Sequence, residues 1–299
     1  MVLLCLMVWQ GVARAACEIQ ERATAPFALD RGSLTVPLQI DGNPATFVLD
    51  TGAERSMVTP GAVRRLDLTL DQWVGTTMHG VGGVVEHPNA DPRSLTLGGL
   101  ALRRQTVTHD ASLTVGDLPR MRSGAPVDGL LGRDFLSLFD LLLDMPGRRL
   151  VLYAVHDCSG RFLPWSFPYD AVQATTPMTH ALVLPFTLDD RQLTALLDSG
   201  ASTSMITLSG MIRLGLSPAM LAHDQAAALH GVGRQAPEMH QHRFDRLQVG
   251  GEAMRQPLLW VAPVRVVPFV DGLLGADWLD AQRLVWISFA TSQVFFVPR

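Results

Sequence analysis

The chain has 299 residues, 17% of them charged and 47% apolar, enough for one large or two ordinary cores and too little charge for a disordered chain. The net charge of -4 leaves no basic footprint, so a nucleic-acid partner is not expected.

The chain opens with MVLLCLMVWQGVARAAC. The apolar run over residues 2–9 is too short for a bilayer, which takes about 20 residues. It ends in Ala13-Arg14-Ala15, the small-x-small pattern of a signal-peptidase site. Residues 1–16 therefore read as a secretory signal, and the mature protein as secreted or periplasmic. No Lys or Arg precedes the apolar run, so retention of the leader as a membrane anchor stays open.

Residues 34–40 and 45–49 read as short alternating or apolar strands. The second runs straight into Asp50-Thr51-Gly52-Ala53. A short helix is expected over residues 60–66, then a glycine-rich turn, His79-Gly80-Val81-Gly82. The run Asp128-Gly129-Leu130-Leu131-Gly132 precedes another brief helix, expected over residues 133–139. Residues 156–178, rich in Pro, Ser and Thr and without a period, read as a linker.

After the linker the series returns. Residues 34–68 align without a gap on 182–216: Pro37 meets Pro185, Leu49-Asp50 meets Leu197-Asp198, Gly52-Ala53 meets Gly200-Ala201, and Ser56-Met57 meets Ser204-Met205. His79-Gly80-Val81-Gly82 recurs as His230-Gly231-Val232-Gly233, and Asp128 to Gly132 as Asp271-Gly272-Leu273-Leu274-Gly275. Three blocks in the same order indicate an internal duplication. The halves span residues 25–155 and 179–299, and short strands at this turn density predict an all-β fold. Removal of the leader deletes Cys5 and leaves Cys17 and Cys158, an even count that predicts one disulfide in an oxidising compartment, pinning the mature N-terminus beside the linker.

The chemistry lies in the two Asp loops. An Asp placed straight after buried aliphatics sits at the rim of a core, where a carboxylate is costly. A Gly two positions on permits a tight turn and close approach of backbone. One such loop is an ordinary turn; two at equivalent places of a duplicated chain would meet across a pseudo-two-fold axis. Two carboxylates in contact share a proton, because both cannot ionise easily. That state suits amide hydrolysis, with one group as base and the other as acid.

Asp50-Thr51-Gly52-Ala53 and Asp198-Ser199-Gly200-Ala201, each followed by Leu-Leu-Gly, resemble the retropepsin-type aspartic proteases, here as two halves in one chain and similar to the bacterial periplasmic branch. The resemblance covers nearly the whole mature chain. It implies two retropepsin-like β-barrel halves of the pepsin-like acid protease fold, with the active site between them. It makes Asp50 and Asp198 the catalytic pair and Thr51 and Ser199 the hydroxyls that interlock the loops. Leu130-Leu131-Gly132 and Leu273-Leu274-Gly275 become supporting strands. Residues 79–82 and 230–233 become flaps over an extended peptide or protein substrate. The long spacing from Asp50 to Leu130 implies an insertion over residues 107–126. No cofactor is expected, and the duplication implies a monomer.

Asp128 and Asp271 could perturb the site or cap a turn, and the turn is the favoured reading. The loose spacing of His223, His230, His240 and His242 does not suggest a metal site. Trp165, Trp260, Trp278 and Trp286 are expected in core or inter-domain packing. The functional alternatives are a catalytically idle peptide-binding protein on the same fold and a carboxylate-pair glycosidase.

Overall fold

A computed structural model of the protein describes residues 16–80, 83–103, 111–118, 127–231, 236–266 and 270–299. Residues 1–15 of the expected leader, and most of the expected insertion over 107–126, lie outside the described residues.

The fold is all-β in two repeated halves, each built on one large sheet, with a third sheet joining them. In the first half the central strands run side by side in the order Leu113–Val115, Met57–Val58, Gly129–Leu131, Asn43–Leu49 and Ser33–Ile40. In the second half the order is Leu258–Val261, Met205–Ile206, Gly272–Leu274, Arg191–Leu197 and Val183–Leu188, the same arrangement strand for strand. Outside these, the long hairpin Leu70–Gly80 with Gly83–Ala90 forms one edge of the first sheet, and the shorter pair Gln225–Ala228 with Glu238–Arg243 forms the corresponding edge of the second.

Alternation dictates which side is buried. Along Ser33–Ile40 the residues Leu34, Val36, Leu38 and Ile40 point into the core, and the intervening positions are more exposed. Asn43–Leu49 and Arg191–Leu197 instead end in continuously buried apolar residues, because each is covered on both faces just before its Asp.

The short helices Pro60–Leu66 and Leu208–Leu214 follow the Asp loops at the expected positions. The hydroxyl of Thr59 accepts from Ala62 N at 3.1 Å, and Pro60 presets the first turn. The helices after the Leu-Leu-Gly runs are shorter than expected, Arg133–Leu136 and Ala276–Asp280. Beyond Leu136 the first tightens into turns, Leu138 N donating to Phe135 O at 3.3 Å and Phe139 N to Leu136 O at 3.2 Å, and the strands Asp140–Asp144 and Gln282–Ser288 follow within a few residues.

Those two strands are the centre of the joining sheet, whose order is Glu18–Pro26, Arg149–His156, Asp140–Asp144, Gln282–Ser288, Gln293–Pro298 and Asp170–Gln173. Leu142 pairs with Trp286 where the halves meet. Asp140, 1% exposed, accepts from Trp286 Nε1 at 3.0 Å and from Ala290 N at 3.1 Å. The segment 156–178 is no open tether. It carries strand Asp170–Gln173 and an aromatic group, Phe162, Trp165 and Tyr169, which packs on Trp286 and Phe295. Trp260, Trp278 and Trp286 are buried and Trp165 is partly so, whereas Trp73 on the long hairpin is 92% exposed.

Cys17 and Cys158 form the expected disulfide. It closes the open end of the ladder in which Glu18 pairs with His156. Closing 141 residues of chain would stabilise by up to about 5 kcal/mol on the chain-entropy account. Among the described residues no helix is long and apolar enough to cross a membrane.

Candidate active site

Each Asp is delivered by a parallel strand pair. Leu49 lies opposite Leu131 and Leu197 opposite Leu274. The ladders continue one residue further, with Asp50 N donating to Leu131 O at 3.0 Å and Asp198 N to Leu274 O at 2.9 Å. The chain then turns back on its own carboxylate. Asp50 Oδ1 accepts from Gly52 N and Ala53 N at 3.0 and 2.8 Å. Asp198 Oδ1 accepts from Gly200 N and Ala201 N, both at 3.0 Å. Two amides on one oxygen fix the orientation of each group.

The loops interlock. Thr51 Oγ1 donates to Leu197 O at 2.8 Å and accepts from Ser199 N at 3.0 Å. Ser199 Oγ donates to Leu49 O at 2.7 Å and accepts from Thr51 N at 3.0 Å. Both hydroxyls are buried, at 2% and 0% exposure, and every polar atom of the exchange is paired.

Glycine is required where the loops face each other. A Cβ on Gly52 would lie 2.5 and 2.7 Å from the carboxylate oxygens of Asp198, and one on Gly200 would lie 2.6 Å from Asp50 Oδ1. Each carboxylate therefore occupies the space a side chain on the opposite loop would fill. The structure thus brings Asp50 and Asp198 together, each carboxyl packed against the loop of the other. Burial raises Asp50 well above the usual carboxylate range, and the neighbouring Asp198 charge raises it further, against the pull of the Ala53 and Gly52 amides. Burial also raises Asp198, but the Ala201 and Gly200 amides, the hydrogen bond with Asp50 and the Arg133 guanidinium hold it down. The pair therefore holds one proton between its two carboxyls and titrates as a unit.

The Leu-Leu-Gly strands pass behind the loops. Leu130, Leu131, Leu273 and Leu274 are buried. Gly132 N and Gly275 N donate to Ser56 Oγ and Ser204 Oγ at 2.8 and 3.0 Å. Sequence reasoning missed what completes this layer. Asp134 Oδ1 accepts from Ser56 N and Oγ at 3.0 and 2.6 Å, and Asp277 Oδ1 accepts from Ser204 N and Oγ at 2.8 and 2.6 Å. The signal was present, since both Leu-Leu-Gly runs continue as x-Asp and Ser56 and Ser204 recur in register.

Asp128 and Asp271 act as braces. Asp128 accepts from Thr46 N at 2.9 Å and pairs with Arg65 at 2.7 Å; Asp271 accepts from Thr194 N at 3.0 Å and pairs with Arg213 at 3.4 Å. Each ties the helix after its Asp loop to the strand before it.

His79 and Gly80 end the strand Leu70–Gly80, with Gly80 opposite Gly83; Val81 and Gly82 lie outside the described residues. His230 and Gly231 follow the strand Gln225–Ala228, and Val232 and Gly233 lie outside the described residues. The described residues of the two segments thus lie at equivalent hairpins. His240 and His242 pair with carboxylates, Glu238 at 3.0 Å and Asp224 at 2.6 Å.

A model of the aspartyl protease family matches the chain twice, over residues 36–135 and 184–278. No curated protein matches it. Each match begins in the strand paired with the one that leads into an Asp loop and ends in the helix behind that loop, and together they span more than half of the residues. The chain therefore belongs to the aspartyl proteases, in a duplicated, retropepsin-like form.

Proposed function

We propose that the protein is a secreted or periplasmic aspartic endopeptidase in which Asp50 and Asp198 activate one water molecule against a peptide carbonyl. The observation that carries this reading is the pair of buried carboxyls, one from each half, brought together by interlocked loops. The ionised carboxylate of the pair takes a proton from the water as the water's oxygen bonds to the carbonyl carbon. The protonated carboxyl gives its proton to the carbonyl oxygen, forming a gem-diol. Collapse breaks the C–N bond as the protonated carboxyl gives its proton to the leaving amine and the ionised one takes back a proton from a gem-diol hydroxyl, which restores the pair. The four loop amides keep the carboxylates in place throughout, so little reorganisation is needed at the moment of reaction.

The two edge hairpins, carrying residues 79–82 and 230–233, close over the substrate and exclude water. The peptide lies extended beneath them, held by backbone hydrogen bonds. Both carboxylates come from one chain, so a monomer suffices. The Cys17–Cys158 disulfide supports an oxidising compartment.

The test is incubation with an unfolded generic protein, with and without a peptide whose scissile carbonyl is replaced by a secondary alcohol. That alcohol mimics the gem-diol and should block cleavage, as transition-state analogues do. A folded protein that binds the alcohol peptide yet cuts no substrate would establish the idle peptide-binding alternative instead.

A further inference from the structure

The pseudo-symmetry of the site breaks at Arg133. This residue follows Gly132 at the start of the helix Arg133–Leu136 and is 3% exposed. Its counterpart in the second half, after Gly275, is the buried Ala276. The Arg133 guanidinium donates through Nη2 to the carbonyl of Gly52, in the Asp50 loop, at 3.4 Å, and through Nη1 to the carbonyl of Thr179, where the chain enters the second half. Its Nε is buried with no hydrogen-bond partner among the described residues.

A buried guanidinium served by two neutral carbonyls is expensive unless nearby negative charge offsets it. The carboxylates that act on it are Glu54, Asp50, Asp198 and Asp134. Glu54 acts on it most but is exposed and screened by solvent, and Asp134 also serves Ser56. Next in strength are the two carboxyls of the pair, which lie beside the Gly52 loop that Arg133 reaches. A mere staple between the halves would need the hydrogen bonds and not the charge.

We propose that Arg133 is a positioning residue whose one-sided positive charge holds the Asp50–Asp198 pair as a monoanion and sets the pH at which the pair takes up its second proton. The catalytic consequence rests on the function proposed above; the effect on the pair is a property of the folded protein and is read without activity. The direction agrees with the downward pull of Arg133 on Asp198. The guanidinium stays charged throughout, although burial lowers its own affinity for the proton.

The experiment is a carbon-13 NMR titration of the aspartate carboxyls in the full chain, assigned with Asp50→Asn and Asp198→Asn, for wild type, Arg133→Gln and Arg133→Lys. Glutamine keeps a donor and loses the charge; lysine keeps the charge and loses the fork. In Arg133→Gln the lower apparent pKa of the pair should rise by on the order of one unit, about tenfold in proton affinity. The Lys variant should stay near wild type. The inference is overturned if the folded Gln variant titrates like wild type, or if the Lys variant shifts as far as the Gln variant. Should the Gln variant not fold, the Lys variant decides alone: a wild-type titration supports a charge effect, and a shifted one overturns it. A wild type that titrates as described but cuts no peptide would sink the proposed function and leave this inference standing.

Discussion

Thr51 and Ser199 hold each other across the two halves, each hydroxyl accepting from the other's backbone N–H at 3.0 Å. Each also donates to the carbonyl of the residue before the other half's Asp. The exchange is buried and complete, so it fixes the separation of the loops as well as their orientation.

Loss of one hydroxyl leaves two buried backbone groups without their partner. Ser199→Ala should cost about 2–4 kcal/mol of stability, read as a shift of the urea midpoint. Thr51→Val should cost about as much, and its isosteric shape separates the loss of hydrogen bonds from loss of volume. Thr51→Ser should retain most of the stability.

Gly52→Ala and Gly200→Ala should each push the opposite carboxylate out of place. The added methyl falls within contact distance of both oxygens of Asp198, or of those of Asp50. The expected result is loss of peptide cleavage by at least about 100-fold, the scale on which small misplacements of catalytic groups act. Gly61→Ala, whose new atom would meet nothing closer than 3.8 Å and whose φ, like those of Gly52 and Gly200, is not positive, serves as the control.

Burial raises Asp50, Asp198 and Asp140 above their unfolded values. The native state therefore takes up protons before the unfolded chain does as pH falls. The stabilisation is complete below the unfolded carboxylate pKa and is lost as pH rises through the folded values. Thermal midpoints should rise from neutral toward mildly acidic pH. Asp50→Asn should flatten that dependence and raise the midpoint at neutral pH, because a neutral amide replaces a group that is costly to ionise there.

Asp140 joins the halves through Trp286 Nε1 and Ala290 N. Asp140→Ala would strand both donors at the centre of the joining sheet and should cost about 2–4 kcal/mol. Trp286→Phe, which removes the indole donor but keeps most of the ring, should cost less. Calorimetry on the two variants gives the comparison.

Much of this was legible in the sequence because duplication printed it twice. The strand into each Asp, the helix at residues 60–66 and the Leu-Leu-Gly run behind each loop all recur, and periodicity marked them. The strand Asp170–Gln173 was not legible, because a four-residue edge strand has too few positions to show alternation. The helix at Arg133–Leu136 is shorter than expected because residues 137–139 tighten into turns, Leu138 N donating to Phe135 O and Phe139 N to Leu136 O, before the strand Asp140–Asp144. Asp134 and Asp277 escaped notice because each is a single polar residue whose partner, Ser56 or Ser204, is distant in the chain. Arg133 could not be read as part of the site at all, since only folding brings it to the carbonyls of Gly52 and Thr179.

The most direct test compares cleavage of an unfolded protein by wild type, Asp50→Asn and Asp198→Asn across the acid-to-neutral range, with folding of each variant verified by circular dichroism. The expected result is that wild type cuts and each single substitution abolishes cutting, because neither carboxyl can serve as both acid and base alone. Full activity in either folded variant would contradict a shared dyad.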